Sequence, residues 1–134
     1  WILETSMGLG RAFLMVMSDA YSVETTENGD TRTVLKLKPE LAPVKFAVFP
    51  LLKNKPELVE KARGVFKELS KKYPCEWDDN GNIGKRYRRQ DEIGTPKCVV
   101  IDFQTLEDGT VAVRDRDTME QVRVTTDELM NIGV

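Results

Sequence analysis

The residue types best suited to chemistry lie in two short stretches of this 134-residue chain. In the first, Glu4 and Ser6 fall on one face of an extended strand, by the two-residue alternation of side chains. Gly8 and Gly10 then permit close backbone approach, and Arg11 follows within one helical turn. A carboxylate can hold an ammonium group, a hydroxyl adds a directional hydrogen bond, and an arginine neutralises phosphate or stacks on a purine. The set suits an amino acid bound beside a nucleotide; the alternative is an ordinary strand–turn–helix junction. The second stretch is Gly84-Lys85-Arg86-Tyr87-Arg88-Arg89-Gln90-Asp91-Glu92. Its cations crowd the N-terminal half of a short helix and its carboxylates sit at the C-terminal end. That order opposes the helix dipole and costs about 0.3–1 kcal/mol per misplaced charge. Such violations often mark function. A helix N-terminus with free amides beside Lys85 and Arg86 suits an anion, and Tyr87 offers a ring on which a base or guanidinium can stack. The alternative is a solvated face in which Arg88 and Glu92 pair at i, i+4.

A third charged group, Arg114, Arg116 and Arg123 interleaved with Asp115, Asp117 and Glu120, reads as an ion-pair network or edge-strand protection rather than a ligand site. Histidine is absent, which removes the commonest general base and any zinc cluster. A net charge of -2 predicts no bulk attraction to nucleic acid, so such a role needs the local clustering just described. Cys75 and Cys98, the only cysteines, sit in strand-like apolar settings and read as buried thiols, which points to the cytosol. With 40% apolar and 31% charged residues the chain belongs among soluble globular proteins, and no apolar run approaches the roughly 20 residues of a membrane span. No membrane partner is expected.

The elements that must position these residues can be sketched from periodicity. Trp1 to Arg11 reads as a strand, a Gly-rich turn and a helix start, and the lack of an initiator methionine suggests that the rest of an active site lies upstream. Leu9 to Ala20 is apolar nearly all round, which predicts a helix packed on several sides. Tyr21 to Thr33 has the composition of a linker or hairpin turn, so residues 1–33 are expected to form one unit and residues 34–134 another. Strands are expected at Val34–Lys38, Lys45–Phe49, Cys75–Trp77, Lys97–Phe103, Thr110–Arg114 and Glu120–Val124. In the last pair Val111, Val113, Val122 and Val124 should point inward. Helices are expected from Pro56 to the stop at Pro74, from about Gly84 to Glu92, and over Thr126–Met130. A turn is expected at Leu106–Gly109. The order after Pro43 implies an α/β fold with a mixed sheet and helices against it.

Glu4-Thr5-Ser6-Met7-Gly8-Leu9-Gly10-Arg11 resembles the third signature motif of class II aminoacyl-tRNA synthetases, in the form seen in glycyl-tRNA synthetases. Ile83 to Pro96 and Thr110 to Gln121 resemble the anticodon-binding domain of the same family. The resemblance implies that Glu4 and Ser6 help hold glycine, with Thr5, Met7 and Gly8 lining that pocket. It implies that Gly8, Leu9, Gly10 and Arg11 adjoin ATP, with Arg11 as the motif arginine. Thr5 stands where many relatives have proline, and Gly10 where many have a larger polar residue. ATP with magnesium is the implied cofactor of the intact enzyme, which is expected to be a homodimer. The other two class signatures are missing, so the chain alone is expected to be inactive and monomeric. After Pro43 the family implies a five-stranded mixed sheet flanked by helices that grips the anticodon arm of glycine tRNA. Lys85, Arg86, Tyr87, Arg88 and Arg89 are the candidate contacts.

Two rivals remain. The accessory subunit of mitochondrial DNA polymerase is similar to this family and would use such a domain on a partner protein and nucleic acid. Retention of Glu4, Ser6 and Arg11 argues against it. A flavodoxin-like enzyme would need a Gly-rich phosphate loop after its first strand, where Pro50-Leu51-Leu52-Lys53 stands instead.

Overall fold

The computed structural model describes residues 1–26 and 28–133. Helix α1 (Leu9–Ala20) runs directly into a two-stranded antiparallel hairpin, β1 (Tyr21–Thr25) and β2 (Thr31–Leu35). Then follow β3 (Phe46–Pro50), α2 (Pro56–Ser70), β4 (Cys75–Trp77), α3 (Ile83–Ile93), β5 (Lys97–Ile101), α4 (Phe103–Asp108), β6 (Thr110–Asp115), β7 (Gln121–Thr125) and α5 (Thr126–Asn131).

The last five strands form one sheet in the order β4-β3-β5-β6-β7, as the five-stranded mixed sheet expected from sequence. β3 is parallel to β4 and β5, while β5–β6 and β6–β7 are antiparallel. Its first strand lies inside the sheet, so β4 is laid down on one side of β3 and β5 on the other. Crossovers of one hand in opposite directions place their helices on opposite faces. On one face Phe46 and Val48 pack with Val99, Ile101, Val111 and Val113 against Leu58, Ala62, Val65 and Leu69 of α2 and Leu129 of α5. On the other, Ala47, Phe49, Cys98, Val100 and Ala112 meet Ile83 and Tyr87 of α3. Burial on both faces is why β3 and β5 read as unbroken apolar runs.

Several boundaries differ from expectation, each for a local reason. The strand Lys97–Phe103 stops at Ile101 because Asp102 caps α4, where a turn was expected. The Asp102 carboxylate accepts from the Thr105 amide at 3.0 Å while the Thr105 hydroxyl bonds back to the Asp102 amide, a reciprocal cap. Helix α2 ends at Ser70, four residues short of Pro74. The stretch read as linker or turn is largely strand: β2 spans Thr31–Leu35 rather than Val34–Lys38. Val122 was expected inward but is 54% exposed, because β7 is the edge strand and a shallow groove beside Val113 and Ile132 leaves that position uncovered. In α1 only Ala20 is buried, against Leu37 and Ala42, while Phe13, Leu14 and Met15 stand about two-thirds exposed. The packing on several sides expected of α1 is not supplied by the described residues. None of the described helices is long and apolar enough to cross a membrane.

Helix α3 is docked on the hairpin through its C-cap. Gly94 has φ +83 and its amide donates to Gln90 and Asp91. A Cβ there would lie 2.9 Å from the Leu35 carbonyl oxygen and 3.0 Å from a Leu37 methyl. Gly94→Ala should therefore destabilise the chain by at least about 2 kcal/mol, from the left-handed backbone together with the backbone clash. Urea unfolding checks this, and a loss under about 0.5 kcal/mol would mean the hairpin is not held where the structure places it.

Candidate nucleic-acid interface

The cationic stretch of α3 divides into three environments. Arg86 points inward and is 2% exposed, the largest fully buried side chain among the described residues. Its guanidinium donates to the carbonyl of Pro50 at the end of β3 and to those of Asp79 (3.1 Å) and Gly81 (2.8 Å) in the loop after β4. Burial draws its pKa below the ordinary arginine value, although Asp78 and Asp79 act the other way. Of the five candidate contacts, Arg86 is thus the one the fold withdraws from the surface. Arg89 binds Asp78 through two nitrogens, at 2.9 and 2.6 Å, and the Asn80 carbonyl at 2.7 Å. Lys85 and Arg88 are exposed, and among the described residues neither is ion-paired; Arg88 does not pair with Glu92.

The charge order that opposes the helix dipole now has a tertiary cause. Arg86 is placed early in α3 to reach three loop carbonyls, and Asp91 late to reach two arginines of other elements. Asn82 caps the helix by accepting from the Lys85 amide at 2.9 Å, so that amide is not free for an anion. Tyr87 is partly buried, edge-on to Phe49 at 5.7 Å, with the Arg114 guanidinium 4.6 Å over its ring. Burial pushes its hydroxyl up to about 12, and that hydroxyl accepts from Gln121 at 2.6 Å. The stacking partner of this ring is therefore a guanidinium of the chain itself.

Between the hairpin and α3 lies an open cleft of about 330 Å³, lined by Arg32, Tyr87, Arg88, Asp91, Arg114 and Met119 among others. Arg114 is buried and donates to both oxygens of Asp91, at 3.0 and 3.2 Å. Burial works against its charge, but the Asp91 hydrogen bonds outweigh this and its pKa is raised. Arg32 is buried too: Nη2 donates to the Arg116 carbonyl and Nε lies 3.3 Å from Asp91 Oδ2. Arg116 donates to the Gly94 carbonyl at 2.9 Å and pairs with Asp117. The reading of Arg114, Arg116 and Arg123 as a surface ion-pair network is met in part: all three are ion-paired, but only Arg116 uses a carboxylate of the interleaved set, Arg114 and Arg116 are buried, and Arg114 also floors a cleft. Met119 closes the rim with φ 60, a left-handed conformation uncommon for a residue other than glycine. Sequence reasoning missed Arg32 and Met119. The alternation of β2 could have marked Arg32 as an inward charge among apolar neighbours, whereas nothing about Met119 signals a left-handed turn residue.

On the edge of the sheet, Arg123 donates to Asp102 at 2.8 and 2.9 Å and ties β7 to the start of α4. Those hydrogen bonds, then the Thr105 contacts, hold the Asp102 carboxyl at about 2. A carboxylate depressed in the folded state stabilises the fold above its unfolded value of about 4, and that contribution fades as pH falls toward 2. Asp102→Asn should accordingly flatten the loss of stability between about pH 5 and pH 2.5, a modest effect because the pair is partly solvated. Urea midpoints across that range check it; parallel wild-type and variant curves would refute it.

The residues assigned to glycine and ATP are placed differently. Glu4, Thr5, Ser6, Met7, Gly8, Leu9, Gly10 and Arg11 are all exposed. Nothing lies within 4 Å of a Cβ built at Gly8 or Gly10. By themselves the described residues form no pocket for ATP around this segment, and no group of three or more His, Cys, Asp or Glu among them could hold a metal ion. Both thiols are free, and burial pushes the Cys98 thiol up to about 12.

Comparison with known proteins places this architecture. The anticodon binding domain family matches residues 45–132. The chain is 54% identical over 129 residues to the glycine–tRNA ligase of Borreliella afzelii (strain PKo), covering 96% of this chain and 29% of that protein. It is 52% identical over 131 residues to the glycine–tRNA ligase of Acetivibrio thermocellus, covering 98% and 28%. The chain thus spans less than a third of the length of these ligases. Among solved structures, the RNA binding domain of threonyl-tRNA synthetase from Cryptosporidium parvum Iowa II is similar with a TM-score of 0.65 and 27% identity, over 72% of this chain and 24% of that one. Matched through its whole five-stranded sheet and similar along nearly its full length to glycine–tRNA ligases, this chain belongs to the anticodon binding domain family.

Proposed function

We propose that this chain binds the anticodon arm of glycine tRNA as part of a glycine–tRNA ligase, which activates glycine with ATP and transfers it to that tRNA. The single observation that carries the binding is the hairpin–α3 cleft on a domain of this family, lined by Arg88, a cation without an ion pair among the described residues, with Lys85 exposed outside that lining on the same helix. An open cleft with guanidinium groups in its floor and rim suits the phosphates and splayed bases of a single-stranded loop, whereas a continuous duplex offers only its outer shape. Lys85 and Arg88 meet phosphates, Arg89 borders the site through its Asp78 pair, Tyr87 supports the floor, and Arg86 holds the loop beneath.

Glycine and ATP with magnesium belong, on this reading, to the longer ligase. Glu4, Thr5, Ser6, Met7 and Gly8 contribute to the glycine site, and Gly8, Leu9, Gly10 and Arg11 to the nucleotide site. The bare apolar face of α1 packs there on the rest of the catalytic unit. The chain alone does not aminoacylate and is monomeric, the intact enzyme is a homodimer, and both work in the cytosol. None of the comparisons favours the polymerase-subunit reading.

Fluorescence anisotropy with the anticodon stem-loop of glycine tRNA tests the binding. Lys85→Ala with Arg88→Ala should weaken it about tenfold at low salt and lower the slope of log Kd against log salt by about 1–2, since each lost phosphate contact releases one fewer counterion. Unchanged affinity and slope would refute the role of this face. Equal affinity for a DNA hairpin of the same sequence would refute RNA as the ligand.

A further inference from the structure

The two arginines behind the cleft share one carboxylate unequally. Asp91, only 4% exposed at its side chain, gives both oxygens to Arg114. Arg32, 6% exposed at its side chain, has Nε within 3.3 Å of Asp91 Oδ2 but not in hydrogen-bonding geometry, and neither Nε nor Nη1 has a hydrogen-bond partner. A buried guanidinium left short of acceptors is costly, and an acceptor that could serve it lies within reach. What keeps the acceptor away is Arg114, which also lines the cleft and lies over Tyr87.

Resting on the reading that RNA occupies this cleft, we propose a partner exchange. RNA draws the Arg114 guanidinium off Asp91, the freed carboxylate hydrogen-bonds Arg32, and the hairpin β1–β2 is thereby clamped onto α3. The three charges are conserved throughout: the RNA supplies the anion that Arg114 gains, and Asp91 changes only its partner. The clamp reaches α1, because α1 enters β1 without an intervening residue and the Ala20 carbonyl accepts from the Lys36 amide just past β2 at 2.7 Å. Helix α1 carries Arg11 in its first turn. The hairpin therefore acts as a coupler between the RNA-binding face and the segment that bears the glycine and ATP motif. Asp91 and Arg32 are positioning residues in it, acting through Arg114 and the hairpin.

Arginine Nε–H resonances report the exchange directly. In the ¹⁵N spectrum of the chain, saturating anticodon stem-loop RNA should move the Arg32 Nε–H signal downfield and slow its exchange with water about tenfold or more, as expected for a buried charged group that gains a hydrogen bond. The signal is assigned by its loss in Arg32→Lys. In Asp91→Ala, which removes the acceptor, the shift should vanish at saturating RNA. A signal unmoved by RNA in the wild type overturns the exchange, and so does a shift that survives in Asp91→Ala, since RNA would then be touching Arg32 itself. Should Asp91→Ala not fold, Arg114→Lys serves in its place. A single ammonium cannot hold both oxygens, so the Arg32 signal of the free variant should already be displaced toward the bound position. A signal at the free wild-type position overturns the proposal. Failure of the RNA to bind at all, read by anisotropy on the same samples, refutes RNA binding and the exchange with it; binding without the Arg32 shift refutes the exchange alone.

Discussion

Arg86→Leu is expected to destabilise the chain by about 2–4 kcal/mol, since a buried polar group left without its partner costs about 1–3 kcal/mol. Arg86 lies in the first turn of α3 and satisfies carbonyls of Pro50, Asp79 and Gly81 at the joint between the end of β3 and the loop after β4. Leucine would fill part of the volume and leave three carbonyl oxygens without their donor, of which the Pro50 contact is buried and those of Asp79 and Gly81 partly so. Arg86→Lys should lie between, because one ammonium can reach one or two of the three. Urea unfolding checks both, and a loss below about 1 kcal/mol for the leucine variant would show that the loop is held by something else. The contrast with Arg88→Ala separates roles: the Arg88 variant should keep wild-type stability and lose RNA affinity. Any Arg86 variant that stays folded should bind RNA within about threefold of wild type.

Asp91→Ala carries the second large effect, about 3–5 kcal/mol. Among the described residues the carboxylate lost is the only one held within ion-pairing distance of both Arg114 (3.0 Å) and Arg32 (3.3 Å), and the cations left behind are buried. Glu24 keeps a longer ion pair with Arg32, at 3.8 Å on the hairpin, but makes none with Arg114. The physical claim is that the damage comes from the orphaned charges rather than from the missing contact. Asp91→Ala combined with Arg114→Met should accordingly recover a substantial part of the loss, since paired buried ions can often be exchanged for apolar groups at little cost. A double-mutant cycle with a coupling energy near zero would refute that account.

Much of the fold was legible because its signals are local. The limits of α1 at Leu9 and Ala20, the Pro56 start of α2 and the apolar runs of β3 and β5 each rest on periodicity or on a start signal within a few positions, while the cap of α5, which the sequence offers at either Thr125 or Thr126, is Thr125. The elements misread had two overlapping signals. Phe103 continues an apolar run and so extended the strand, whereas Asp102 and Thr105 three residues apart are a cap that ends it. The hairpin was read as linker because Glu-Asn-Gly-Asp is turn composition, and the strands on either side are too short and polar to show alternation clearly.

The candidate site divides along the same line. Composition and charge order singled out Lys85 to Arg89 as unusual and drew attention to the face of α3. Which of those cations reaches solvent depends on what lies across from each, and that is set by strands far away in the chain. Arg86 meets a carbonyl 36 residues earlier and Asp91 meets Arg114 23 residues later, so neither could be assigned from its neighbours.

What the sequence by itself determined is the kind of molecule: the motif at Glu4 to Arg11, the α3 block and the last hairpin are contiguous strings whose order alone carries the resemblance to glycyl-tRNA synthetases. The mixed sheet followed from the order of elements. What only the tertiary structure decided is which charges are free and which are committed, and hence where RNA can be met. A guanidinium at the surface and one buried against three carbonyls are the same residue in a sequence, because burial belongs to the packing of distant segments and not to the chain position of the side chain.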